Sequence, residues 1–155
     1  MPTPPSPRLG LLVVPSDPTL PTAAVEAVRA SWHAAGIDER LVPGGHGRVW
    51  TDAGTSVRFV STRQGGFRVG CPRDGRTVVA GFVRALSAWR AGGPRRLACV
   101  CGEVHDLADL AYAPPAAFAT AWIVVEDVAA PALDPVAASL AKELWGEVRI
   151  VLRRG

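Results

Sequence analysis

The chain has 155 residues, enough for one ordinary domain with its own core. Its residues are 48% hydrophobic and 20% charged, which excludes a largely disordered chain, and no stretch approaches the roughly 20 apolar residues that span a bilayer. The net charge of +3 is uneven: residues 1–39 sum to −2, residues 40–96 to +9 and residues 97–155 to −4. A basic middle of this kind can meet an acidic partner or nucleic acid, although neutralisation by the acidic segments and the arginine-rich coding of a GC-rich genome are simpler explanations.

Cysteine usage and the N-terminal segment bear on the compartment. Three cysteines, an odd number, argue against the disulfide framework of a secreted protein. The apolar run Leu9–Val14 is shorter than the hydrophobic region of a signal peptide. We therefore expect a cytoplasmic protein without a membrane segment, with a flexible tail over residues 1–8 and a single domain over residues 9–155.

The first predicted elements are a buried strand and an amphipathic helix. Leu9–Val14 is a continuous apolar run closed by Pro15, which is typical of an interior strand. Thr22 is placed to cap a helix that Gly36 ends. Its apolar positions recur at helical spacing at Val25, Val28 and Trp32.

A three-stranded meander is predicted next, over residues 48–51, 56–62 and 66–70. Alternate residues of a strand lie on opposite faces, so pairing the second and third strands brings four apolar residues together: Val57, Phe59, Phe67 and Val69. The same pairing puts Arg58 and Arg68 on the solvent face with Arg63 at the hairpin tip. The sequence therefore predicts a basic strip on this hairpin.

Two more helices are predicted in the second half, separated by strands over residues 97–101 and 121–126. The first covers about residues 77–91, and its buried side is drawn from Val79, Phe82, Val83, Leu86 and Trp89. Asp134 is an N-cap before Pro135 and opens the second. That helix is predicted to bury Val136, Leu140 and Leu144.

A last strand and the order of the elements complete the fold prediction. Residues 148–152 alternate apolar side chains with arginine, which predicts a half-exposed strand near an edge. Helices are interleaved with strands, and no linker is long enough to divide the chain. This order predicts an α/β or α+β fold, in which one mixed β-sheet carries about three packed helices and a degenerate, ribbon-like double knuckle.

Two cysteine-containing turns form that double knuckle and carry the strongest chemical signal. Zinc ribbons bind metal through two tight turns, each of which places two ligands in one tetrahedral site. In Cys71-Pro72-Arg73-Asp74-Gly75 the first thiol and the glycine are in place, but Asp74 occupies the position of the second thiol. In Cys99-Val100-Cys101-Gly102 the second thiol and the glycine fit, whereas Ala98 occupies the partner position.

These turns resemble those of a group of small bacterial α/β proteins of unknown function, which carry two Cys-Pro-x-Cys-Gly knuckles about thirty residues apart. The resemblance covers roughly residues 66–155 and includes Phe118-Ala119 and the closing helix and strand. It implies a mixed α/β domain in which two of the four ligand positions have changed. It implies no activity.

The cysteines have two interpretations. Cys71, Asp74, Cys101 and His105, with Cys99 as an alternate, offer four donors of types that zinc accepts. Alternatively, the cysteines are small buried hydrophobes in a ribbon that has kept its fold and lost its metal. We expect the second outcome, with no bound cofactor, and keep zinc as the alternative.

The functional prediction is a non-catalytic binding or adaptor domain. An arginine-rich face would pair with the carboxylates or phosphates of an acidic protein partner, and its candidate residues are Arg58, Arg63, Arg68, Arg73 and Arg76. One alternative is binding to a nucleic-acid backbone, which the absence of exposed aromatic side chains among these arginines weakens. The other is a zinc- or thiol-dependent enzyme centred on Cys71, Cys101 and His105.

Overall fold

The computed structural model describes residues 8–62 and 67–154, which contain eight strands and three α-helices. The strands are β1 (Leu9–Pro15), β2 (Val49–Val60), β3 (Arg68–Gly70), β4 (Arg96–Ala98), β5 (Val104–Asp106), β6 (Ala111–Ala113), β7 (Ala117–Val125) and β8 (Val148–Arg154). The helices are α1 (Thr22–Ala34), α2 (Val79–Arg90) and α3 (Pro135–Trp145), with a short 3-10 turn at Leu107–Asp109. None of the helices in these residues is long and apolar enough to cross a membrane.

Four strands form the main sheet in the order β2–β7–β1–β8, and every neighbouring pair is antiparallel. β1 and β7 lie inside this sheet, as their continuous apolar runs predict. β8 lies at an edge, as its alternating pattern predicts. The α+β fold with three helices is confirmed.

α1 and α3 cover one face of the main sheet and enclose a first core with it. Two indole N–H groups tie these helices together. Trp32 Nε1 donates to the carbonyl of Ala137 at 3.0 Å, and Trp145 Nε1 donates to the carbonyl of Ala24 at 2.9 Å. On the other face of the sheet, Trp122 belongs to a separate apolar cluster with β1 and β8 residues.

The helix ends agree only in part with the sequence signals. Asp134 caps α3 as predicted, because its carboxylate accepts hydrogen bonds from the backbone N–H groups of Val136 and Ala137. Thr22 is the first residue of α1 rather than its cap, since Pro21 precedes it and no side chain caps the helix. Gly36 follows α1 with a φ of +69°, a left-handed conformation that suits glycine.

The buried side of α3 is one residue out of register with the prediction. The buried residues are Ala137, Ala141 and Trp145, whereas Val136 and Leu144 are about half exposed. The prediction followed the larger apolar side chains. The small alanines instead face α1, where they leave room for the two helices to pack closely.

The remaining elements build a second core beside the first. β3 pairs with β6, β4 pairs with β5, and α2 packs against both pairs. The apolar centre of this core is formed by Val69, Phe82, Leu86, Leu97, Leu107, Leu110 and Phe118. Because Phe118 belongs to β7, the second core is anchored on the main sheet.

The predicted meander is wrong. Residues 49–60 form one strand with an irregularity between Ala53 and Arg58, so the turn residues around Gly54 bulge out of the sheet without reversing the chain. A Cβ on Gly54 would lie 2.8 Å from the carbonyl oxygen of Thr120, which explains the glycine. β3 pairs with β6 instead of β2. The apolar residues of both segments nevertheless pack into the same second core, as their alternation predicts.

Candidate metal centre

The first cysteine turn follows β3 and folds tightly around the Cys71 sulfur. Cys71 donates its backbone N–H to the carbonyl of Arg76 at 2.8 Å, and Gly75 donates to the carbonyl of Cys71 at 3.0 Å. The backbone N–H of Arg73 points at Cys71 Sγ, 3.4 Å away. Gly75 closes the turn at a φ of +76°, which a side chain would disfavour. The turn therefore presents a buried sulfur surrounded by backbone donors.

The second cysteine turn joins β4 to β5. Gly102 donates its backbone N–H to the carbonyl of Cys99 at 3.0 Å, and Cys99 donates to the carbonyl of Glu103 at 2.9 Å. Val100 lies at the tip with 71% of its surface exposed, while Cys99 and Cys101 on either side of it pack against the second core. The tight hairpin thus turns two sulfurs to the same side.

His105 completes the group from the neighbouring strand. It lies on β5, opposite Leu97 of β4, and its Nε2 atom is 3.3 Å from Cys101 Sγ and 3.6 Å from Cys71 Sγ. The ligand atoms of Cys71, Cys99, Cys101 and His105 all lie within 4.8 Å of one another. One imidazole nitrogen offers a single lone pair or a single N–H, so hydrogen bonding alone does not account for two sulfurs converging on it.

These distances are close to those of a tetrahedral zinc site. Zn–S bonds of about 2.3 Å and Zn–N bonds of about 2.0–2.1 Å place sulfur and nitrogen about 3.5–3.6 Å apart, and two sulfurs about 3.8 Å apart. The two sulfur–nitrogen distances therefore agree with coordination to within about 0.3 Å. The 4.8 Å limit on the remaining separations leaves an adjustment of about 1 Å at most.

The surroundings of the cluster lower the pKa of Cys71 and raise the pKa of Cys99. Burial raises the pKa of Cys71, but the backbone N–H groups of Asp74 and Arg73 and the thiols of Cys99 and Cys101 outweigh it and leave the pKa below its ordinary value. The backbone N–H of Cys101 lowers the pKa of Cys99, but burial and the neighbouring cysteines outweigh this effect and leave the pKa above its ordinary value. Cys71 is thus more ready than Cys99 to act as a thiolate ligand.

Three residues of the sequence-predicted metal set come together, namely Cys71, Cys101 and His105, and Cys99 joins them in place of Asp74. The Asp74 carboxylate accepts a hydrogen bond from the backbone N–H of Arg76 at 2.9 Å and also contacts the Cys71 side chain, but it is not one of the four clustered ligands. The ligand spacing of a zinc knuckle places Ala98, not Cys99, at the ligand position, so the sequence predicts Cys99 only as an alternate ligand. The signal that identifies it is the hairpin register, because β4–β5 pairing brings the residues after Leu97 close to His105.

The strand pairing that predicted the basic strip does not occur, because Arg58 lies on β2, which pairs with β7, and Arg68 lies on β3, which pairs with β6. The Arg58 guanidinium lies 4.0 Å from the ring centre of Trp122 and 2.8 Å from a carboxylate oxygen of Asp52. Arg68 is exposed on β3.

The other arginines predicted for this face are Arg63, Arg73 and Arg76. Arg73 pairs with Glu103 at 2.7 Å and so links the two cysteine turns at the surface. Arg76 lies 3.7 Å from Asp74. Arg63 lies outside the described residues. The arginines that flank the metal centre are thus Arg73 and Arg76.

No protein-family model, curated protein or solved structure matches this chain. The resemblance to small bacterial proteins with two cysteine knuckles therefore stays a prediction.

Proposed function

We propose that this protein is a non-catalytic binding domain whose second core is held together by a structural zinc ion bound to Cys71, Cys99, Cys101 and His105. The observation that carries the proposal is the convergence of three sulfurs and one imidazole nitrogen within 4.8 Å. Three cysteines and one histidine form a common ligand set of structural zinc sites.

Four protein ligands favour a structural role over a catalytic one. Catalytic zinc keeps a coordination position for water or substrate, whereas structural zinc has four protein ligands. The described cluster offers four ligand atoms from side chains, which fills a tetrahedron. A zinc- or thiol-dependent enzyme is for this reason the weaker alternative.

A cross-link would stabilise the second core, whose strands are short. Its strands β3, β4, β5 and β6 have three residues each, and two-stranded sheets of that length are not stable by themselves. The proposed ion joins the turn after β3 to the β4–β5 hairpin, about thirty residues later in the chain. Such a link restricts the unfolded chain and adds its binding free energy to folding.

The zinc content of the purified protein tests this proposal. Elemental analysis is expected to give about one zinc ion per chain, and a chelator that removes it should lower the unfolding temperature. Cys99→Ser is expected to lose most of the zinc because it removes a ligand. Asp74→Asn is the comparison variant, because this carboxylate contacts the Cys71 side chain without being one of the four clustered ligands, and it should keep the full zinc content.

Other outcomes would contradict the proposal. Protein that neither contains zinc nor binds it at micromolar concentration would exclude the structural site. Zinc retained in Cys99→Ser but lost in Asp74→Asn would favour the knuckle spacing over the geometry described here. Fast alkylation of one thiol in zinc-loaded protein would favour thiol chemistry, because a sulfur bound to zinc is protected.

A further inference from the structure

A groove of about 360 Å³ lies next to the proposed zinc site, between the start of α2 and the β4–β5 hairpin. Its walls are mainly aliphatic side chains and backbone, contributed by Val79, Gly81, Leu97, Ala98 and Val100. Gly81 lets Leu97 pack closely against α2, since a Cβ there would lie 3.0 Å from a methyl group of Leu97. The groove thus depends on the hairpin being held against α2.

The rim of this groove exposes more apolar surface than a single stray side chain. Val79 and Val100 line it and are 37% and 71% exposed, and Val83 lies one helical turn beyond Val79 with 58% exposure. Single exposed apolar residues are ordinary, whereas several of them near one concave surface are typical of a site for a partner.

The charge that lines the groove is basic. Arg84 lines the groove and is its only charged lining residue in the described parts of the chain. No carboxylate lies within ion-pair distance of Arg84 among residues 8–62 and 67–154, unlike Arg73 and Arg95, which are paired. A partner with carboxylates would supply the missing charge.

We propose that this groove docks an acidic peptide segment of a partner protein. Aliphatic or aromatic side chains of that segment cover Val79, Val83 and Val100, and one of its carboxylates pairs with Arg84. A nucleic-acid backbone would satisfy the arginine but would leave the valines in water, which is why a peptide is favoured. This inference rests on the proposed function, because the zinc-held hairpin forms one wall of the groove.

Selection from a random 12-residue peptide library on the zinc-loaded protein tests the proposal. We expect the enriched peptides to combine aspartate or glutamate with large apolar residues. Arg84→Glu and Val83→Asp are each expected to weaken binding of a selected peptide at least about tenfold, the effect of losing about 1.4 kcal/mol. Val136→Asp is the matched control, because it makes the same change at an exposed valine of α3, and it should leave binding unchanged.

The remaining outcomes overturn the proposal. A library that yields no binding peptide would do so, as would peptides whose affinity is insensitive to Arg84→Glu and Val83→Asp. A single-stranded oligonucleotide that binds with sensitivity to Arg84→Glu but not to Val83→Asp would make nucleic acid the partner. The two proposals fail separately: peptide binding by protein that takes up no zinc would remove the zinc site and keep the groove, whereas loaded protein without peptide binding would do the reverse.

Discussion

Phe118 joins the two halves of the molecule, and truncating it is expected to loosen the second core more than the first. The residue belongs to β7 of the main sheet, yet it is only 1% exposed within the second core. Its ring centre lies 5.0 Å from that of Phe59 and 5.1 Å from that of Trp89 on α2. Removing the ring therefore removes one of the aromatic contacts that hold α2 against the sheet.

The expected cost depends on what replaces the ring. Phe118→Ala should lower the free energy of unfolding by about 3–5 kcal/mol, the usual range for a buried aromatic residue truncated to alanine. Phe118→Leu keeps most of the buried area and loses two ring–ring contacts, each worth about 0.5–1.5 kcal/mol. We therefore expect a loss of about 1–3 kcal/mol for leucine.

Urea unfolding followed by circular dichroism measures these losses, and amide hydrogen exchange shows where they fall. In Phe118→Leu, protection of amides in α2 and in the β4–β5 hairpin should decrease, while α1 and α3 keep theirs. Ile123→Val is the control in the first core, with an expected cost of about 0.5–1.5 kcal/mol and no effect on exchange in α2.

Two results would refute this reasoning. A cost below about 1 kcal/mol for Phe118→Ala would mean that the ring is not the anchor of the second core, because even partial relaxation rarely recovers that much. An equal decrease in protection across α1, α2 and α3 would mean that the two cores unfold as one unit.

Two further predictions concern a helix cap and the proposed ion. Asp134→Ala should lower the free energy of unfolding by about 1 kcal/mol, since it leaves the backbone N–H groups of Val136 and Ala137 without their acceptor; Asp134→Asn should recover most of this in urea unfolding, and an equal loss in both variants would contradict the capping role. Zinc affinity should fall as the pH falls, because protons compete for the sulfurs, by about tenfold per pH unit for each proton displaced. Three cysteine ligands can displace at most three protons, so the affinity should change by no more than about a thousandfold per pH unit from the thiols. Competition with a colorimetric zinc chelator at several pH values measures this slope, and a slope near zero would argue against cysteine ligands.

The parts of the fold that the sequence predicts well are those with strong local signals. Leu9–Val14 is apolar throughout and occupies the inside of the sheet, and Asp134-Pro135 marks the start of α3 to the residue. Burial in a central strand and N-capping both depend on neighbours along the chain, so a short window of sequence contains the information.

The second core is harder to predict because its strands are short and its pairing is distant. Three residues are too few to show a period of two, and β3 pairs with β6 across more than forty residues. The turn residues around Gly54 look like a hairpin because glycine favours turns and bulges alike.

The metal centre was predicted in part for a related reason. Ligand types could be recognised from the sequence, and Cys71, Cys101 and His105 do lie together. The fourth position could not, because it depends on the register of the β4–β5 hairpin. That register brings Cys99 into the cluster, while the Asp74 carboxylate accepts a hydrogen bond from the backbone N–H of Arg76.

The pairing of β1 with β8 has a consequence for the order in which the molecule folds. Leu9 lies opposite Arg154, and the other neighbour of β1, β7, begins only at residue 117. During synthesis β1 therefore has no strand to pair with until β7, residues 117–125, has been made, and β8 follows later still. The β3–β6 and β4–β5 pairs close over residues 68–113 and are complete earlier. Contacts of such long sequence separation slow folding, so the pairing of β1 with β7 and β8 is expected to be a late step.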